Sequence, residues 1–254
     1  MITIKNKQAI DKMKTAGSKL ATLFERLPQI IKVGVTTLEI DTWIADFLVS
    51  SGLTSRSLGY RGYGYSSCIS LNDEVIHGVP RKDVFLHAGD LLKIDVCASW
   101  KDYCADMART FIVDATGLSS LELDAKKNLI NTAQQALDKG ILNAQLGARL
   151  GNISAAIQYQ VEVEGCSVIR DFAGHGIGKK LHEEPEILNY GTAGVGPILR
   201  EGMALAIEPM ISAGNYEVYI AQDGWTVKTV DKSLAAHVED TIIISSHGPE
   251  IITR

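Results

Sequence analysis

Apolar residues recur at helical spacing through Ala9, Ile10, Met13, Ala16, Leu20, Leu23 and Phe24, which predicts an amphipathic first helix running up to Pro28. A second helix is predicted from about Thr37 to Ser50, capped by Thr36 or Thr37 and followed by Gly52. Leu38, Ile40, Trp43, Ile44, Phe47 and Leu48 form its buried stripe. Glycine, tyrosine and serine then crowd residues 59–67, the composition of a loop. Strand character resumes at Cys68 to Leu71, turns at Asn72-Asp73-Glu74 and continues from Val75 to Pro80. Alternating apolar residues flank a polar middle between residues 91 and 113, predicting a β-hairpin centred between Trp100 and Lys101. Further helices are expected over about 119–139 and 149–164, and strands near 167–171, 203–208, 216–220, 225–230 and 237–244.

That hairpin centre sets Asp95 directly opposite Asp106, with both side chains on one face. Like charges opposed across a ladder, with Cβ atoms roughly 5 Å apart, destabilise it. The pair must share a proton, stay wet or be bridged by a cation, and a divalent ion removes the repulsion completely. Two carboxylates on a solvated face is the plain alternative, and the hairpin alone does not choose between them.

Two helices followed by strands occur twice, and positions test whether this is an internal repeat. Gly34 and Gly147 each precede a helix, Gly52 and Gly165 each end one, and Gly89 and Gly202 each open a strand that Asp95 and Glu208 close; all four pairs are 113 residues apart. After a further slip of 20 residues, room for a hairpin carrying Tyr216 to Val230, Ala105-Asp106 is matched by Val238-Glu239. This pattern implies one domain over residues 1–254 whose halves, about 1–115 and 116–254, face each other. Asp95 and Asp106 would come from one half and Glu208 and Glu239 from the other. Four carboxylates in a closed cleft cannot all ionise without cations, so two divalent metals bridged by shared carboxylates are the economical solution. Gly174-His175-Gly176 supplies an imidazole, with glycines on both sides that let the backbone approach closely and leave the ring open to a metal.

Composition narrows the classes. With 254 residues, 46% hydrophobic and 22% charged, the chain reads as an ordinary globular protein. A net charge of -5 and a pI of about 5.7 give no footprint for nucleic acid or an anionic membrane. The start, Met1 to Lys7, has no apolar core of a signal peptide, and no run of about 18 apolar residues occurs, so a cytoplasmic protein is expected; a monomer is expected separately. Cysteines 68, 97, 104 and 166 form no CxxC pair and read as free thiols. Gly174 to Lys179 fails as a Walker sequence because Ala173 and Lys180 occupy its glycine and Ser/Thr positions, and it fails GxGxxG because Lys179 follows Gly178. His182-Glu183-Glu184-Pro185-Glu186 lacks the second histidine of HExxH, which excludes single-zinc chemistry of that kind.

Phe172-Ala173-Gly174-His175-Gly176-Ile177-Gly178, then His182, then Ile187-Leu188-Asn189-Tyr190 resembles the signature of the type I methionine aminopeptidases. The similarity runs from about residue 8 to the C-terminus. It implies an α+β pita-bread fold: two pseudo-symmetric ααββ halves, a curved antiparallel sheet and the active site between them. The implied activity is removal of the N-terminal methionine from nascent proteins and peptides by hydrolysis of the first peptide bond, with small second residues preferred. The ribosome is a candidate place of encounter. The resemblance implies two divalent ions, Mn, Fe, Co or Zn, with Asp95 on one, Asp106 and Glu239 on both, and His175 and Glu208 on the other. Glu208 would also accept and shuttle the proton of the attacking water, His182 would hydrogen-bond the developing oxyanion, and His77 would contact the scissile amide or help with proton transfer.

Tyr60, Tyr63, Cys68, His77 and Trp225 would surround the methionine side chain, along with Leu181, which stands where an aromatic residue commonly precedes His182. Other departures from the family pattern are Ser57 in place of a frequent cysteine, Lys93 for Asn, Met107 for Thr and Asp240 for His; they bear on the shell around the ligands. Two further readings share the fold: prolidases and Xaa-Pro aminopeptidases, which carry an additional N-terminal domain, and non-catalytic pita-bread binding proteins, which usually lose ligands.

Overall fold

Capping chemistry sets where the helices begin. In the structure, a computed structural model that describes residues 1–254, α1 (Lys7–Ile30) starts at Asn6, whose side chain accepts the Ala9 amide. Helix α2 (Thr37–Ser50) starts at Thr36 in a reciprocal capping box with Glu39. Strands β1 (Thr54–Ser55), β2 (Cys68–Leu71), β3 (Glu74–Ile76), β4 (Leu91–Trp100) and β5 (Tyr103–Ile112) follow. Next come α3 (Ser120–Asn143), opened by a second capping box between Ser119 and Glu122, and α4 (Gly151–Val163). The remaining strands are β6 (Ser167–Val168), β7 (Ala173–Gly176), β8 (Glu183–Leu188), β9 (Ala204–Ile207), β10 (Met210–Ser212), β11 (Val218–Ile220), β12 (Val227–Thr229), β13 (Ala235–His237), β14 (Glu239–Ser245) and β15 (Gly248–Ile251).

Nine strands form one antiparallel sheet in the lateral order β1, β4, β5, β14, β9, β7, β8, with β2 also on β4 and β15 also on β14. Two three-stranded sheets, β13-β10-β6 and β11-β12-β3, complete the chain. One apolar cluster joins Met13, Leu20, Ile40 and Ile44 of α1 and α2 to Leu92, Ile94 and Val96 of β4. A second joins Leu129, Leu137, Ile153 and Ile157 of α3 and α4 to Leu205, Ile207, Ile242 and Ile244. Each fully buried aliphatic side chain stabilises the fold by roughly 1.5–3 kcal/mol, so the helices are held to the sheet chiefly by these stripes. The mixed α and β chain with its curled antiparallel sheet is the α+β class expected. Glycines 113 residues apart adopt matching left-handed conformations: φ is 85° and 82° at Gly34 and Gly147, 67° and 75° at Gly52 and Gly165, and 85° and 81° at Gly89 and Gly202.

The hairpin register differs from the prediction. The two-residue turn is Lys101-Asp102, both at positive φ (47° and 69°), so Trp100 faces Tyr103, Asp95 faces Ala108 and Asp106 faces Cys97. Asp95 and Asp106 are therefore diagonal rather than directly opposed. Nothing marked this turn in the sequence, but because the shift in pairing is two residues, both carboxylates stay on one face. Helix α1 also runs past Pro28 to Ile30: in the last turn the ring deprives only the Phe24 carbonyl of an amide, and the Ile31 N–H still reaches the Leu27 carbonyl at 2.9 Å. The strand expected over 237–244 is split at Val238 into β13 and β14, which join different sheets. Strands β7 and β8 carried no alternating signal, because one is Ala-Gly-His-Gly and the other an acidic edge strand containing Pro185.

Candidate active site

Two adjacent rows on one face of the sheet carry the candidate ligands. In the first, Ala108 lies between Asp95 on β4 and Glu239 on β14, opposite both. In the second, Cys97 faces Asp106, Asp106 exchanges backbone and hydroxyl hydrogen bonds of 2.8 and 2.9 Å with Thr241, and Ala206 faces both Thr241 and His175. Glu208 follows β9 by one residue. Small residues at positions 108 and 206 leave space among the acids. Strand β7 can lie this close only because it is glycine-rich: a Cβ on Gly174 would come within 2.5 Å of the Ala206 carbonyl oxygen, and one on Gly176 within 2.1 Å of that of Glu184.

Donor atoms of Asp106, His175 and Glu239, all buried, lie within 4.8 Å of one another. The His175 Nε2 is 3.9 Å from Asp106 Oδ2 and 3.5 Å from Glu208 Oε1. His175 Nδ1 is 2.9 Å from the Gly176 carbonyl oxygen, which can only accept, so Nδ1 carries the proton and Nε2 turns a bare lone pair toward the acids. Burial, then the Glu208 carboxylate, pushes Asp106 up to about 7, and burial pushes Glu208 up to about 8. Burial and the neighbouring Asp106 hold Asp95 and Glu239 well above the ordinary carboxylate range. Burial pushes His175 down to about 3. Four acids that resist ionisation together around a neutral imidazole form a site that gains by taking up cations. One oxygen of Glu239, Oε1, is buried with no hydrogen-bond partner, an acceptor of the kind a cation satisfies.

The rim is built differently. The His182 ring stands edge-on to His175 at 4.4 Å between centroids, and its Nδ1 is 2.8 Å from the Tyr60 hydroxyl. Tyr63 stacks edge-on to Trp225 at 5.0 Å, and its hydroxyl reaches the Ser67 carbonyl at 3.0 Å. Cys68 is buried opposite Asp95 across β2 and β4. His77 sits at φ 57°, its ring edge-on to Phe172 at 5.6 Å, and burial pushes its pKa down to about 4. Trp225 is set by its amide, which donates to Asp223 Oδ1 at 2.9 Å. Leu181 is half-buried against the α1 and α2 cluster. A cleft of about 560 Å³ is lined by His175 and His182 with Lys180, Glu183 and Glu186.

Several residues of the site were not singled out from the sequence. Asp41 of α2 accepts the amides of Ser66 and Ser67 and the Ser67 hydroxyl at 2.7–3.0 Å, pinning the loop that carries Tyr60 and Tyr63. Nothing local announces it. His237 is fully buried with its Nε2 3.5 Å from Glu208 Oε2, and its position two residues before Glu239 was a usable signal. Two departures from the family pattern find local explanations. Lys93 is buried and donates to the Asn72 carbonyl at 2.9 Å. Asp240 accepts from Arg109 and Arg254, each at 2.7 Å, while Arg109 also donates to the Glu239 carbonyl at 2.6 Å, bracing the strand beside that candidate ligand.

Residues 11–246 match the model of metallopeptidase family M24. A methionine aminopeptidase of Clostridium acetobutylicum is 44% identical over 253 residues, covering 100% of this chain and 99% of its own. The crystal structure of a methionine aminopeptidase from Thermotoga maritima is 41% identical, with a TM-score of 0.95 and complete coverage of both chains. A prolidase from Pyrococcus furiosus shares the fold alone, at 22% identity and a TM-score of 0.76 over 99% of this chain and 65% of its own. The match to the family model over residues 11–246 and the full-length identity to these relatives together show that the chain belongs to metallopeptidase family M24.

Proposed function

We propose that this chain is a metal-dependent methionine aminopeptidase that hydrolyses the first peptide bond of nascent proteins and peptides beginning with methionine, preferring small second residues. The observation that carries this reading is the convergence of Asp106, His175 and Glu239, flanked by Asp95 and Glu208, in a chain of the M24 family. The orphaned Glu239 oxygen and the lone pair of His175 Nε2 fit a divalent ion. Asp95 would hold one ion, Asp106 and Glu239 both, and His175 and Glu208 the other; Mn, Fe, Co and Zn all suit this mixed oxygen and nitrogen set. Ions there supply Lewis acidity toward a peptide carbonyl and toward water.

The chain's own groups do the rest. Glu208, held near neutral pKa, is suited to take a proton from water and return it to the leaving amine. If the Tyr60 hydroxyl donates to His182 Nδ1, the proton of that imidazole stays on Nε2, the tautomer that can donate to a developing oxyanion. His77 would contact the scissile amide, and Tyr60, Tyr63, Cys68, Leu181 and Trp225 would enclose the methionine side chain. We read residues 1–254 as one catalytic domain with halves of about 1–115 and 116–254, acting as a cytoplasmic monomer on nascent chains, including those at the ribosome. No helix is long and apolar enough to cross a membrane.

The test is a comparison of hydrolysis rates on Met-, Leu- and Ala-initiated peptides and on an X-Pro dipeptide, with metal content measured on the same preparation. Cleavage confined to Met-initiated peptides with small second residues, at two ions per chain, is expected. Preference for the X-Pro substrate would replace the reading with a prolidase, and bound metal with no hydrolysis would replace it with a binding protein.

A further inference from the structure

One buried imidazole beside Glu208 has no part in the reading above. His237 ends β13, is 1% exposed, and is fixed at its backbone by Thr110, which accepts its amide at 3.0 Å and donates to its carbonyl at 2.7 Å. Its main chain is therefore fixed, and neither Nδ1 nor Nε2 of the ring has a hydrogen-bond partner. A buried polar group left unmade costs about 1–3 kcal/mol, so a filler at this position would be better served by an apolar side chain.

The Glu208 carboxylate lies between two imidazoles. Its Oε1 is 3.5 Å from His175 Nε2 and its Oε2 is 3.5 Å from His237 Nε2. The two rings are not equivalent. His175 has committed its proton to the Gly176 carbonyl and can offer Glu208 only a lone pair, whereas His237 is free to carry its proton on Nε2. No protein group makes a hydrogen bond to this carboxylate, and His237 Nε2 lies 3.5 Å from it; the nearby Asn189 amide donates to the Glu208 main-chain carbonyl at 3.0 Å.

We infer that His237 is a positioning residue for Glu208: its Nε2–H holds Oε2 and so turns Oε1 toward His175 and the ion. The inference rests on the metal-site reading of the preceding subsection. A role exerted through an outer partner of a ligand changes metal affinity or activity by about 10- to 100-fold when it is lost.

A double-mutant cycle on the full chain tests it, using calorimetric titration with Mn(II) as the readout and melting of the metal-free protein as the check on folding. His237→Leu should weaken uptake of one ion by about 10- to 100-fold while the protein stays folded. His237→Gln, which keeps a donor, should recover most of that loss. In a Glu208→Gln background, adding His237→Leu should cost less than about 2-fold more, because the partner it acts through is already changed. In peptide assays the Leu variant should lower kcat with little change in KM. Wild-type affinity and kcat in His237→Leu would make the ring mere filling and overturn the inference. The full loss persisting in the Glu208→Gln background, or no recovery by Gln, would make His237 an independent ligand and also overturn it. Wild-type protein that takes up no Mn(II) removes the metal-site reading and this role with it. Uptake of Mn(II) without peptide hydrolysis removes only the proposed activity, and the cycle still decides on His237.

Discussion

Asp95, Asp106 and Glu239 stand on strands of one continuous sheet, whereas Tyr60, His77, His182 and Trp225 stand in the turns and loops around it. The floor gathers like charges and must hold them against mutual repulsion. Ladder hydrogen bonds on both sides of β4, β5 and β14 do this without help from the side chains themselves. The aromatic groups of the rim are each held by one or two contacts, such as Tyr60 with His182, Tyr63 with Trp225 and Asp223 with the Trp225 amide. The contrast teaches that substitutions in the floor should act on cation binding with the fold intact, and that substitutions in the rim should act on turnover with the cations intact.

The sharpest way to break that contrast is at Asp106 or Glu239. Asp106→Asn and Glu239→Gln should each bring hydrolysis below detection while circular dichroism and melting report a folded protein. Near-wild-type rates in either, with one or two ions bound, would sink the shared-ligand assignment. The rim counterpart is His182→Ala, expected to lower kcat by roughly 100- to 1,000-fold, the effect of losing one oxyanion donor. Metal stoichiometry should be unchanged there, unlike His175→Ala, which should lose one ion. Lower stability with unaltered turnover would mean that His182 only orders the following loop.

A finer cut is Tyr60→Phe, which removes the hydroxyl beside His182 Nδ1 and leaves the ring. Loss of one neutral hydrogen bond, about 0.5–1.5 kcal/mol, should lower kcat by roughly 2- to 10-fold with metal content unaltered. A changed metal content would show that the rim is not independent of the floor. A further effect is on the melting temperature of the metal-free protein. Asp106 and Glu208 titrate at about 7 and about 8 in the fold, against 3.8 and 4.5 ordinarily, so the folded state holds more protons across that window. Stability from these groups is present below about pH 4 and is lost as pH rises through about 8. Melting should therefore fall over that range, and saturating Mn(II) should reverse the trend. A metal-free protein whose melting temperature rises steadily to pH 8 would mean that the acids ionise without difficulty.

Much of the floor was legible in the chain because strand geometry is local. Side chains alternate with a period of two, so Asp95 and Asp106 belong to one face whichever even register the hairpin adopts, and the hairpin did adopt a register two residues from the one predicted. Helix starts were legible for the same reason: Thr36 with Glu39 and Ser119 with Glu122 cap within one turn. The rim was less legible. Residues 60 and 182, or 41 and 67, touch only because the tertiary fold brings different elements together, and the side chains involved carry no period of their own.

What the sequence determined by itself is the set of groups: four acids and an imidazole in a repeating frame of helices and strands, a resemblance that named a family, and the face of the hairpin on which the acids stand. What only the tertiary structure decided is their register and company. The turn at Lys101-Asp102 made Asp95 and Asp106 diagonal, the lateral order of β5, β14, β9 and β7 aligned the two rows, and the split at Val238 set His237 against Glu208. The physical reason is that alternation and capping are settled within a few residues of chain, whereas register and strand order minimise the free energy of a sheet whose pairs lie up to 133 positions apart, as Met107 and Asp240 do.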